Sequence, residues 1–162
     1  MAVQLSAAAL AKLDGAHPAL AAIVKKAAEL CAVQFTVGEV QRTVERQKQL
    51  VASGASRTMN SRHIPSADGK SRAVDLTAIV AGQPSWDWTL YFHIADAMRL
   101  ASIGLITPLE WGGVWDKQMA RYPSGQSCQA ESAAYVQRQH AIGTKTVFID
   151  GPHFQLPWKE FP

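Results

Sequence analysis

Residues 73–80 read Ala-Val-Asp-Leu-Thr-Ala-Ile-Val. Its even-numbered positions are all apolar. They fall on one face of an extended chain, because side chains alternate along a strand. Asp75 and Thr77 fall on the opposite face. The segment therefore predicts a strand that buries one face in a core and presents an acidic side chain on the other.

Helices and further strands surround this strand without a regular alternation. Such an order favours an α+β fold, here a single domain with a small, largely antiparallel sheet flanked by helices. The predicted elements are a short helix from Ser6 to Gly15, a helix from Pro18 through Cys31, strand 33–37, helix 43–52, a long polar loop 55–71, helix 91–103, a glycine-interrupted strand 109–115, helix 131–141 and a last strand 146–149.

Composition limits the classes of function. The chain has 162 residues, of which 48% are hydrophobic and 18% charged, as expected for one folded domain. The formal net charge is +3 with scattered basic residues, so we expect no nucleic-acid partner. Neither a signal peptide nor a membrane span is predicted, since polar residues interrupt every long apolar run.

The sequence has two cysteines, Cys31 in a predicted helix and Cys128 in a polar loop. They predict reduced thiols and no disulfide framework.

Two histidines lie near carboxylates in polar segments rich in turns. His63 precedes Asp75, and His153 follows Asp150 across a Gly-Pro pair that predicts a turn at the sheet edge. Neutral imidazole and carboxylate are good zinc ligands, and a catalytic zinc site commonly has three protein ligands. His63, Asp75 and His153 would supply such a set. The alternative is that these residues lie at the surface or make structural hydrogen bonds.

The other three histidines receive no functional role. We expect His17 and His140 to lie at the surface and His93 to be packed. Trp111 and Trp115 flank two glycines, Gly112-Gly113, which would permit close approach of backbone or substrate.

Several linked segments together resemble the zinc D-Ala-D-Ala carboxypeptidases and L-alanyl-D-glutamate peptidases, and in particular the phage endolysins of that group. The likeness covers almost the whole chain, including the helical start. The segments are Gln41-Arg42-Thr43 with Gln47, Gly54-Ala55-Ser56-Arg57-Thr58, Ser61-Arg62-His63, Ala73-Val74-Asp75-Leu76, Glu110-Trp111-Gly112-Gly113-Val114-Trp115 and Asp150-Gly151-Pro152-His153-Phe154.

The resemblance implies a role for each site residue. His63, Asp75 and His153 would bind Zn²⁺, Asp150 would be the catalytic base, and Arg42 would lie near the reacting carbonyl or a substrate carboxylate. Asp75 follows His63 by twelve residues, a longer spacing than the family pattern, which an insertion within residues 64–72 explains. Asp68 in that loop is an alternative ligand. The Ala-x-Asp step of residues 73–75 favours the later aspartate.

The resemblance also implies the reaction and its setting. We expect a zinc-dependent endolysin that hydrolyses the L-Ala-D-Glu bond of the peptidoglycan stem peptide for host cell lysis. Two alternatives are a D-Ala-D-Ala carboxypeptidase or dipeptidase on the same polymer, and a non-catalytic zinc-containing wall-binding module. The expected organisation is a helical part (1–32) and a catalytic core (33–162) without a separate wall-binding domain. We expect a monomer that does not insert stably into membranes, is made in the host cytoplasm and acts on the wall after release.

Overall fold

The computed structural model describes residues 2–162 and has an α+β fold, as predicted. The helices are α1 (Ala7–Leu13), α2 (Pro18–Leu30), α3 (Val44–Ala52), α4 (Trp88–Gly104) and α5 (Cys128–Ala141), with a 3-10 turn at Met119–Arg121. The strands are β1 (Phe35–Val37), β2 (Ala73–Val80), β3 (Gln83–Ser85), β4 (Glu110–Trp111) and β5 (His153–Gln155).

The five strands form one antiparallel sheet in the order β1-β2-β5-β4, and β3 pairs with the far end of β2. The register of β2 with β5 places Asp75 opposite His153. The register of β4 with β5 places Glu110 opposite Gln155. Polar side chains from three strands are therefore neighbours on the sheet, although they are far apart in the sequence.

One continuous core joins the N-terminal helices to the rest of the chain. Val74, Leu76 and Ala78 of β2 are fully buried in it, as the alternating pattern predicts. Helix α2 packs mainly against α4 and contributes Leu20 and Ile23 to the same core. The boundary between a helical part and a catalytic core after residue 32 stays a prediction.

Of the predicted strands, one is too long and another is absent. Only Glu110–Trp111 of the predicted strand 109–115 is extended, because the chain turns at Gly112-Gly113. Residues 146–149 form no strand. Both edges of β5 are already paired, with β2 and β4, and the partly buried Val147 and Ile149 pack against the core instead.

Smaller differences have local causes. Cys128 is the fully buried first residue of α5 rather than a loop residue, because Ser127 caps that helix through its hydroxyl. His93 is exposed rather than packed. The Asp150 to His153 turn forms, but it leads into an interior strand rather than an edge strand. None of the helices within residues 2–162 is long and apolar enough to cross a bilayer.

Candidate metal centre

The structure brings the three candidate ligands together. One possible ligand atom from each of His63, Asp75 and His153 lies within 4.8 Å of the others. Asp75 Oδ1 is 3.1 Å from both His63 Nε2 and His153 Nδ1, and these two nitrogens are 3.2 Å apart. Both histidines are buried, whereas Asp75 is partly accessible.

Each ligand is positioned by a different part of the fold. Asp75 points from the polar face of β2, and His153 is the first residue of the neighbouring strand β5. His63 comes from the long loop and is held by two hydrogen bonds with backbone groups. Its carbonyl accepts from Arg42 N at 2.9 Å, and its ring Nδ1 lies 2.9 Å from the carbonyl oxygen of Val40.

In each histidine, the ring nitrogen that faces away from the centre makes a hydrogen bond, and this bond determines which nitrogen offers a lone pair to the centre. A carbonyl oxygen only accepts hydrogen bonds, so His63 Nδ1 carries the proton toward Val40 and Nε2 offers a lone pair to the centre. His153 Nε2 likewise lies 2.9 Å from the amide oxygen of Gln155, which leaves Nδ1 free. Two lone pairs and the Asp75 carboxylate thus converge on one point. This donor set fits a divalent metal ion.

The charges at the centre influence one another. Although burial alone would raise the pKa of Asp75, the adjacent His153 and His63 rings hold that pKa below its usual range in the metal-free protein. Burial lowers the pKa of His153, but Asp75 and Asp150 outweigh it and the net shift is upward. The aspartate therefore stays ionised, as a metal ligand must.

Asp150 lies beside the three ligands at the wall of the same cleft. Its backbone N–H donates to the carbonyl oxygen of Gly112 at 2.8 Å, and a Cβ atom at position 112 would collide with the Asp150 backbone. Burial raises the pKa of the Asp150 carboxyl, and the Asp75 charge adds to this, whereas His153 opposes it. The structure thus holds a partly desolvated acid next to the candidate ligands.

Arg42 lies near Asp75 in the same cleft. Its guanidinium is ion-paired with Glu39, donates to Gln47 Oε1 at 2.8 Å and lies 3.7 Å from Asp75 Oδ2. Burial lowers the pKa of Arg42, but Glu39, Asp75 and Asp150 outweigh it and raise that pKa. The side chain therefore carries a permanent positive charge at the cleft.

Asp68, the alternative ligand, lies away from the centre. It is exposed, pairs with Arg72 Nη1 at 2.5 Å and accepts from the backbone N–H of Lys70 at 3.0 Å. The loop that carries Asp68 packs against the turn between α1 and α2, where Lys70 donates to the carbonyl oxygen of Asp14 and Ser71 N donates to that of Gly15 at 2.9 Å. The geometry favours Asp75 as the ligand.

The centre lies in an open cleft of 630 Å³. Trp115 packs against the His153 ring with 5.3 Å between centroids, and Phe148 stacks on Trp115 at 6.0 Å. Arg57 lies over Phe148 at 4.9 Å. The sequence leaves the role of Trp115 open and gives no prediction for Phe148 or Glu39. The spacing of Glu39 three residues before Arg42 is the signal that could have found it.

The comparisons with known proteins agree with this geometry. Residues 1–157 match the family model for phage L-alanyl-D-glutamate peptidases. The chain belongs to this family. Its fold is similar to that of the Serratia marcescens L-Ala D-Glu endopeptidase ChiX, with a TM-score of 0.71 and 32% identity over 98% of this chain and 94% of that one. None of the curated proteins matches the chain.

Family membership confirms the resemblance and the predicted class of enzyme, a peptidoglycan L-alanyl-D-glutamate peptidase. The His-Asp-His group could bind the metal that this type of peptidase uses. The identity of that metal and the role of each residue are proposals.

Proposed function

We propose that this peptidase is a zinc enzyme that hydrolyses the L-Ala-D-Glu bond of the peptidoglycan stem peptide. Its metal ligands would be His63, Asp75 and His153, with Asp150 as the catalytic base and Arg42 as the oxyanion partner. The observation that carries the proposal is the convergence of two imidazole lone pairs and a carboxylate, beside a second acid, in an open cleft.

Zinc is the metal that this donor set favours. Two imidazoles and one carboxylate are a known ligand set of catalytic zinc sites, which keep a further position for water or substrate. When bound, zinc polarises the scissile carbonyl and lowers the pKa of water to about 7.

Asp150 would move the proton. A carboxylate next to the ligands can accept a proton from the attacking water and deliver it to the departing amine. Its raised pKa suits both steps, because a group that holds the proton more tightly is a better acceptor and still able to release it.

Arg42 would stabilise negative charge. Its guanidinium is held in place by Glu39 and Gln47, so it need not reorganise when the carbonyl oxygen gains charge. The same group could instead receive a substrate carboxylate, and either role requires the charge to face the cleft.

The position of Asp150 depends on the glycine opposite it. We expect Gly112→Ala to displace the Asp150 backbone and to lower hydrolysis by up to about 10²-fold, since small misplacements of catalytic groups have effects of this size. Gly104→Ala is the matched control, because nothing lies within 4 Å of a Cβ there. Hydrolysis rates of the two variants, measured below their unfolding temperatures, test this. Wild-type activity in Gly112→Ala would contradict it.

The bond that is cut can be read directly from the products. Purified peptidoglycan is incubated with the protein, with and without a chelator, and the released fragments are analysed by mass spectrometry. We expect peptides with a new D-Glu amino terminus, and none after chelation. Loss of terminal D-Ala alone would replace the proposal by the carboxypeptidase alternative. Cleaved sugar chains would contradict a peptidase, and zinc binding without any product would favour the wall-binding module.

The biological setting is part of the same proposal. We propose a monomer without a nucleic-acid partner that is made in the host cytoplasm and reaches the wall after release. Family membership supports the wall substrate. Turbidity of cells whose outer barrier has been permeabilised should fall when the protein is added.

A further inference from the structure

A line of hydrogen bonds runs along the polar face of the sheet, away from the metal centre. His153 Nε2 lies 2.9 Å from Gln155 Oε1, and Gln155 Nε2 donates to Glu110 Oε2 at 2.7 Å. The sheet builds this line, because residues 153 and 155 share a face of β5 and Glu110 is the register partner of Gln155. His153 and Gln155 are both buried.

We propose that Gln155 and Glu110 are positioning residues that set the tautomer and ring orientation of His153, and thereby the metal affinity of the site. The inference rests on the proposed function, in which His153 is a ligand. Neither side chain reaches the centre itself, so their effect passes through the histidine.

The direction of the line follows from what each group can do. An ionised carboxylate only accepts, so Glu110 requires the NH₂ group of Gln155 to face it. The amide oxygen must then face His153 and can only accept there. The proton of His153 is consequently on Nε2, and Nδ1 keeps its lone pair toward Asp75 and His63.

Loss of this line would change the metal centre. Without the amide oxygen, the buried His153 Nε2–H has no acceptor. The tautomer with the proton on Nδ1 then becomes more stable, because Asp75 Oδ1 lies 3.1 Å from that nitrogen and can accept its hydrogen bond. A metal ion would then compete with that proton for the same lone pair. Removal of groups that orient a metal-bound histidine typically weakens metal binding by about 10- to 100-fold.

The second histidine provides a contrast. His63 is oriented by the backbone carbonyl of Val40, which no side-chain substitution removes. Of the two histidines, His153 is the one whose orientation depends on another side chain. A substitution of Gln155 therefore tests His153 while His63 stays oriented.

The test is the zinc affinity of the full chain, measured by titration against a competing chelator. Gln155→Leu should bind Zn²⁺ about 10- to 100-fold more weakly than the wild type. Gln118→Leu is the matched control, because Gln118 also donates to a carboxylate, that of Glu160 at 3.1 Å, but outside the centre. Its affinity should equal that of the wild type.

Exchanging the side chains of positions 110 and 155 distinguishes the orientation of His153 from a general effect on packing. In the double variant E110Q/Q155E, the carboxylate at position 155 can still accept from His153, and the amide at position 110 can donate to that carboxylate. We expect its zinc affinity to return to within a few-fold of the wild type. The single variant Q155E sets two carboxylates against each other and should not recover. Thermal unfolding of the metal-free proteins identifies any variant that does not fold.

Two results would overturn the inference. One is wild-type affinity in folded Gln155→Leu, and the other is a folded double variant that binds as weakly as Gln155→Leu. If the wild type itself binds no zinc, the proposed function fails and this inference fails with it. Wild-type binding with an unaffected Gln155→Leu variant removes only the positioning role.

Discussion

Replacing Asp150 by asparagine is expected to lower peptidoglycan hydrolysis by about 10²- to 10⁴-fold while zinc content stays at one per chain. Asparagine keeps the size of the side chain but cannot accept a proton from water. The substitution leaves the three proposed metal ligands and the turn that precedes β5 unchanged. It therefore distinguishes an effect on catalysis from an effect on zinc binding. Initial rates on purified peptidoglycan and metal analysis of the same sample check both parts.

The control for this variant is Asp14→Asn, the same exchange at an exposed aspartate beside the N-terminal helices. It should leave both rate and zinc content at the wild-type level. A rate drop below tenfold in Asp150→Asn, with zinc retained, would contradict the role of Asp150 as the base.

Replacing His63 or His153 by alanine is expected to abolish tight zinc binding and activity together. Each imidazole supplies one of the three protein ligands, and two ligands do not hold zinc at a catalytic site. Metal analysis after dialysis and the peptidoglycan assay measure the two effects. His93→Ala, at an exposed histidine of α4, is the control and should retain both.

The two aspartates near the insertion decide between the alternative ligand sets. Asp75→Ala should lose zinc, whereas Asp68→Ala should keep it, because Asp68 is ion-paired with Arg72 away from the centre. Full zinc content in His63→Ala would contradict the ligand assignment. Loss of zinc in Asp68→Ala, with retention in Asp75→Ala, would reverse the choice of carboxylate.

Much of the fold could be predicted because the signals are local. The alternation of residues 73–80 predicts β2, and Ser6 and Pro18 predict the starts of α1 and α2 through capping and a fixed backbone angle. The prediction of a strand at 146–149 is wrong because a short apolar run indicates burial of side chains, not pairing of the backbone.

The chemistry of the chain could be predicted from residue types and their order. Two histidines and two aspartates stand in the family order, and their residue types predict a metal centre with an acid beside it. These properties depend on side-chain type and on the geometry of neighbouring residues, both of which are local in the sequence.

How those groups face one another depends on the tertiary structure. The orientation of His153 depends on Gln155 and Glu110, which lie on different strands, and that of His63 depends on the carbonyl of Val40. Such partners are set by strand register and loop packing between distant segments. A hydrogen bond requires its two atoms within about 3 Å, and no local pattern specifies which distant atom fills that place.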